Sequence, residues 1–310
     1  MRDAWRMGRL RRMASTRRFA MVLGCLFLAA CTRAAVPVQS LPTPLRPTPT
    51  QKVPTPLPTE TAPPSSTGVE YAVIGVDDGG QLPVRLNAGL SGLTNGFLTP
   101  TQKDIHLTGN ATLLGSSEWV EIIRPDGRTG WVQRGKLTEY VPADEFCADA
   151  RANAIVSGLS QALNNRDGDE LASLVSVSRG ILIRVDWWNP EVRFTKAQVA
   201  DLFADPTVVN WGTHFASNTQ INGTFADAVL PQLDDVFSGQ PALTCDELQF
   251  GSVVQDIRRP AAYANLNFYE FYRSAPEGGN EFNWRAWTVL IEYVDGEPHL
   301  VGLIQYRPQV

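Results

Sequence analysis

Trp119-Val120-Glu121-Ile122-Ile123-Arg124-Pro125-Asp126-Gly127-Arg128-Thr129-Gly130-Trp131-Val132-Gln133 carries the clearest architectural signal in the chain. Apolar and β-branched residues crowd both ends, and Pro125-Asp126-Gly127 is a turn signal between them. The spacing predicts two antiparallel strands, 119–123 and 130–133, joined by a tight turn. Further toward the N-terminus, segments 70–76, 82–86 and 105–108 have the same character, each bounded by turn residues. Several short strands at close spacing over residues 69–141 predict a small all-β barrel.

Residues in this region also resemble a known family. Leu82-Pro83-Val84-Arg85-Leu86-Asn87-Ala88-Gly89 is similar to the opening strand and turn of bacterial SH3 (SH3b) domains. Trp119-Val120-Glu121-Ile122, then Asp126-Gly127-Arg128-Thr129-Gly130-Trp131-Val132 and Leu137, resemble the closing hairpin. Gly96-Phe97-Leu98-Thr99-Pro100-Thr101 stands where the family has a glycine-rich turn. The first turn lacks the family's proline, and Thr94-Asn95 replace a frequent aromatic. The resemblance implies binding of an extended peptide, such as the stem or cross-bridge of peptidoglycan. It makes Arg85, Trp119 and Trp131 ligand-binding candidates. The competing assignment places at least one of these tryptophans in the barrel core, because a small barrel needs large apolar residues.

Residues 142–310 predict an α+β domain, helices first and a curved antiparallel sheet after. Asp144 is placed to cap a helix with apolar positions Ala148, Ala152, Ile155, Val156, Leu159 and Leu163, ended by Asn164-Asn165-Arg166-Asp167-Gly168. A short helix at 170–176, a strand at 181–187, a helix at 196–204 capped by Thr195, and another running from Thr224 to Phe237 follow. Four strands are expected at 248–254, 262–273, 284–294 and 299–307. Asp295-Gly296 forms the turn between the last two. This element order, with segment 159–176, resembles NTF2-like (SnoaL-type) cone folds. That resemblance implies a pocket between helices and sheet, with Trp211, His214 and Tyr269 as ligand candidates near its mouth. The alternative makes the dense aromatics core and the histidine a solvated surface group.

The N-terminus predicts location. Residues 1–18 carry seven arginines against Asp3, and an apolar run follows from Phe19 to Ala30. At about 12 residues it is too short to span a bilayer as a helix, which needs roughly 20. A basic region, a short apolar region and small residues before a possible cleavage point form a secretory signal over residues 1–30. Leu28-Ala29-Ala30-Cys31 resembles a bacterial lipobox, which implies lipidation of Cys31 and anchoring to the cell membrane from the extracytoplasmic side. Residues 31–68 are dominated by Pro and Thr, holding ten of the 22 prolines, and predict an extended, disordered linker.

Loss of residues 1–30 would remove seven of the 27 basic residues and one of the 32 acidic ones, moving the net charge from −5 to about −11. Such a surface argues against a nucleic-acid partner. With Cys25 in the signal and Cys31 lipidated, Cys147 and Cys245 remain. In an oxidising compartment they read as one disulfide, with a nucleophilic cysteine as the rival assignment. His214 and His299 have no partner at metal-ligand spacing, and no cofactor fingerprint is present, so no metal, cofactor or catalytic residue is assigned. The sequence thus points to a tethered envelope-binding protein that holds a cell-wall peptide and an unknown ligand or partner. A cell-wall hydrolase, or an accessory to one, with residues 69–141 as its targeting module, stands as the alternative.

Overall fold

Alternating burial organises the first seven strands: β1 (Glu70–Val73), β2 (Leu82–Arg85), β3 (Thr94–Leu98), β4 (Ile105–Leu114), β5 (Ser117–Ile123), β6 (Thr129–Gln133) and β7 (Leu137–Glu139). Val84, Val120, Ile122 and Val132 point inward and pack with Tyr71, Val73, Leu98, Ile105 and Leu137. Successive side chains on a strand face opposite ways, so their neighbours Arg85, Trp119, Glu121, Trp131 and Gln133 take the other face. The β5–β6 turn forms as expected. Gly127 adopts φ 77° and the Asp126 carboxylate accepts from the Arg128 amide and the Arg124 guanidinium. The computed structural model describes residues 68–249 and 259–308, all within one unit spanning Thr61–Val310. The signal segment, Cys31, the linker before residue 68 and most of the strand expected at 248–254 lie outside the described residues.

The remaining elements are α1 (Ala143–Ala148), α2 (Ala150–Asn165), α3 (Gly168–Leu174), β8 (Ile181–Arg184), β9 (Val192–Phe194), α4 (Lys196–Ala200), β10 (Val209–Thr213), β11 (Gln220–Gly223), α5 (Leu230–Phe237), β12 (Ala242–Cys245), β13 (Asn267–Arg273), β14 (Arg285–Val294) and β15 (Glu297–Tyr306). The single helix expected from Asp144 is two. The chain is extended at Asp149, whose carboxylate accepts from the Arg151 amide and caps α2. Thr195 caps α4 in a reciprocal capping box with Gln198. Thr224 caps a π-helical turn, Phe225–Val229, that leads into α5. Asp295 and Gly296 take φ 52° and 76°, the left-handed pair that a two-residue hairpin turn requires.

The expected architecture, an SH3-like barrel followed by a separate α+β domain of NTF2-like cone type, is overturned. Thirteen strands form one mixed sheet in the order β3-β2-β6-β5-β4-β1-β7-β14-β15-β8-β9, with β12 on β13 and β13 on β14. The join is at β7, where Glu139 pairs with Tyr293 of β14. β13 pairs with the rest of β14, from Asn267↔Ile291 to Arg273↔Arg285. β7 and β13 therefore share β14 as a neighbour, and the Asn267 side chain donates to the Val141 carbonyl at 3.1 Å. The helices do not simply precede the sheet either, since β8 enters it early and runs parallel to β15. The pattern within a strand shows which face is buried but not which strand covers its edge, so the sequence suggested a boundary where pairing continues.

Side chains seal the join. Glu139 accepts from the backbone amides of Asp295 and Gly296 at 2.8 and 2.9 Å. Arg179 pairs with buried Glu292 and donates to the carbonyls of Gly135 and Leu137 at 2.7 and 2.6 Å. Buried Asn265 donates to the carbonyls of Val73 and Pro100. On one sheet face Trp287, Val289 and Leu303 pack against α2 and α5 through Leu159, Leu163, Leu233 and Val236. On the other, Leu290, Ile304 and Tyr306 pack with Tyr263 and Leu266.

Cys147 of α1 and Cys245 of β12 form a disulfide, with Cα atoms 5.8 Å apart and a sequence separation of 98. Closing a loop of that length restricts the unfolded chain and, in the chain-entropy estimate, stabilises the fold by roughly 4–5 kcal/mol. Denaturant unfolding with and without reductant should show a loss of that order. An unchanged midpoint would contradict it.

Candidate binding groove

Arg85, Trp119 and Trp131 are brought to one sheet face. The register Arg85↔Trp131, Glu121↔Trp131 and Trp119↔Gln133 aligns them across β2, β6 and β5, opposite the valine core. Arg85 Nη1 donates to the Gly92 carbonyl at 3.0 Å and to Thr94 Oγ1 at 2.8 Å, which ties the β2–β3 connection to the sheet. Its Nε is buried without a hydrogen-bond partner. Trp119 is only 4% exposed, so its ring is a wall and not a projecting aromatic. Trp131 is half-buried.

Arg85 and Trp119 line a groove of about 300 Å³ with Leu82, Pro83, Leu90 and Lys136; Trp131 is not among its lining residues. Its lining mixes apolar side chains with the polar groups of Asp77, Gln133 and Lys136. Lys136 is held by donation to the Gly75 carbonyl at 2.6 Å. Leu90 is 73% exposed. Leu86, Leu93, Leu113 and Leu114 are exposed as well, on the β2–β3 connection and the β4–β5 hairpin. A Cβ at Gly89 would lie 3.4 Å from Leu114 Cδ1, so the two connections touch.

The other three candidates do not converge. Trp211 is fully buried, donates from Nε1 to the Gly223 carbonyl at 3.0 Å and packs near Phe194. Tyr269 is buried against Phe146 at 4.8 Å, and its hydroxyl donates to Asn153 Oδ1. Burial and the charge of Asp149 push its phenol pKa up. Both belong to the hydrophobic core. His214 is exposed on the β10–β11 connection and lies at the rim of a different cleft, with Arg285, Gln305 and Arg307. Those three residues are absent from the sequence-based candidates. Their proximity depends on strand register, and their only sequence signal is arginines at strand ends.

The carboxyls of Asp186 and Glu270 are raised well above the usual range, and neither lines the groove. Burial pushes Asp186 up to about 6 against the pull of its ion-pair partner Arg307. Burial pushes Glu270 up to about 7; its Oε2 accepts from the Gln249 amide and its Oε1 has no hydrogen-bond partner. Among the described residues, no three His, Cys, Asp or Glu side chains are grouped to hold a metal ion.

Glu270 gives a pH dependence with a definite sign. Between its unfolded pKa near 4.5 and its folded pKa near 7, the folded protein keeps a proton that the unfolded chain releases. Its contribution is therefore complete below pH 4.5 and is lost as pH rises through about 7, a loss of about 3 kcal/mol. Glu270→Gln keeps the neutral shape at every pH. Urea unfolding should find it more stable than the parent near about pH 8, with the advantage gone near about pH 4. Equal destabilisation at both values would contradict the assignment. No family model, curated protein or solved structure matches the chain.

Proposed function

We propose that this chain is an extracytoplasmic lipoprotein, anchored to the bacterial cell membrane through Cys31, that binds an extended cell-wall peptide in the groove of Arg85 and Trp119. The observation that carries this reading is their convergence. Two of the residues singled out by the local resemblance to bacterial SH3 segments line one groove, beside a leucine exposed at 73%. The remaining features are consistent with it. A Pro/Thr-rich linker of 38 residues suits a protein held at a distance from its anchor. A disulfide suits an oxidising compartment. The peptide would lie with apolar side chains on Leu82, Pro83 and Leu90 and its carboxylate toward Lys136 or Arg85.

The test uses the full-length exported protein, because residues 69–141 alone would leave the β7 edge unpaired. Cosedimentation with purified peptidoglycan should pull down the parent. Leu90→Asp places a charge on the exposed wall of the groove without disturbing the core, and should weaken binding by about tenfold or more. Cys31→Ser should leave wall binding intact while releasing the protein from the membrane fraction. Sedimentation no greater than that of an unrelated exported protein, or binding unchanged in Leu90→Asp, would contradict the peptide groove. Membrane retention of Cys31→Ser would contradict the anchor.

A further inference from the structure

Three arginines meet at one end of the sheet. Arg273 of β13 stands directly opposite Arg285 of β14. The next pair in the β14–β15 ladder, Ala286↔Tyr306, brings Arg307 opposite Arg285 on the far side. Cross-strand partners share a face, so all three guanidiniums lie on the face covered by α5. There Trp287 donates to the Gln232 carbonyl and Phe237 packs on Phe271 at 4.3 Å. Like charges directly opposite in a sheet are destabilising. A row of three adjacent arginines therefore needs counter-charge.

Two carboxylates supply part of it. Asp235 of α5 pairs with Arg273 at 3.0 Å, and buried Asp186 pairs with Arg307. Arg285 has no carboxylate in ion-pair reach among the described residues; its one hydrogen bond is from Nη1 to the Trp284 carbonyl. Burial, then the charges of Arg307 and Arg273, push its pKa down, and the more distant charges of Asp235 and Asp186 offset this only in part. The cluster carries one positive charge more than its carboxylates neutralise.

Arg285 and Arg307 open into a cleft of about 520 Å³ bordered by His214, Ile221, Pro231, Gln232, Asp235 and Gln305. That volume lies within the range of small-molecule sites. Gln305 is 1% exposed, and its Oε1 has no hydrogen-bond partner. The unmatched atom is an acceptor, which an anion cannot complete; Gln305 offers donors to an anion beside Arg285 only once its amide is turned over. Rotation of the amide would present its two N–H donors to the same anion.

We propose that this cleft binds a small monocarboxylate, its carboxylate held by the fork of Arg285 with the Gln305 amide donating beside it, and its apolar remainder against Ile221 and Pro231. Arg285 matches a planar carboxylate through two parallel N–H donors. A single uncompensated positive charge, with Asp235 on the rim, suits a monoanion and disfavours a dianionic phosphate. The site is separate from the peptide groove and stands whether or not that groove binds cell wall.

Benzoate, its neutral counterpart benzamide and inorganic phosphate, each titrated into the full chain by calorimetry, distinguish the cases. Benzoate should bind, benzamide should not, and phosphate should bind more weakly than benzoate. Arg285→Gln should weaken benzoate by about tenfold or more. Arg285→Lys keeps the charge but loses the fork, and should fall between parent and Arg285→Gln. Removing an unpaired arginine from the row should also raise the melting temperature of the ligand-free protein, so Arg285→Gln remains informative as a folded variant. Phosphate binding tighter than benzoate, equal binding of benzamide, unchanged benzoate affinity in Arg285→Gln, or no benzoate binding by the parent would each overturn the proposal.

Discussion

A carboxylate received by two backbone amides holds the two halves of this sheet together. Glu139, at the last position of β7, accepts from Asp295 and Gly296 in the hairpin turn of β14 and β15. Both amides are aimed by the left-handed conformation of the turn. Glu139 is 8% exposed, so a loss of these donors would leave a nearly buried charge without partners. One register of β7 on β14 satisfies it. Arg179 and Glu292 reinforce that register, because one guanidinium serves both the buried carboxylate and two carbonyls around β7.

From this join the two proposed sites follow. β14 carries the join near Tyr293 and the arginine row at Arg285, so a single central strand connects them. The peptide groove lies on strands that reach β14 only through β1 and β7. The disulfide closes α1, which follows the join, onto β12, which borders β13. Covalent and hydrogen-bonded constraints thus act on the same part of the structure.

Local chemistry was legible in the sequence. The turns at Asp126-Gly127 and Asp295-Gly296, the Thr195 cap, the apolar stripe of α2 and the pairing of Cys147 with Cys245 all rest on short-range patterns or on simple counting. Non-local pairing was not. β3, β7, β9, β10, β11 and β12 lack the turn-bounded apolar pattern that marks the equally short β1, β2, β6 and β8. The edge of β7 reads as the end of a domain because nothing in Leu137-Thr138-Glu139 names its partner.

The candidate sites divide the same way. Arg85 and Trp119 share a sheet face through simple alternation along β2 and β5, a local pattern legible in the sequence. The arginine row was missed because a bulge hides it. Val301 is an extra residue between the pairs Ile291↔Leu300 and Leu290↔Gly302. Counting outward from the Asp295-Gly296 turn without that bulge sets Arg285 opposite Tyr306 and sends Arg307 to the wrong face. Trp211 and Tyr269 were proposed for a cleft because aromatic content alone does not separate a lined pocket from a filled core.

Continuity of the sheet across β7 and β14 is tested most directly by native-state hydrogen exchange. Amides of Val120 and Val132, in the N-terminal strands, should share one opening free energy with those of Val289 and Leu303, and Glu139→Gln should lower all four together. Exchange of Val120 and Val132 through a separate opening of lower energy, unaffected by Glu139→Gln, would show two independent domains and contradict the single sheet.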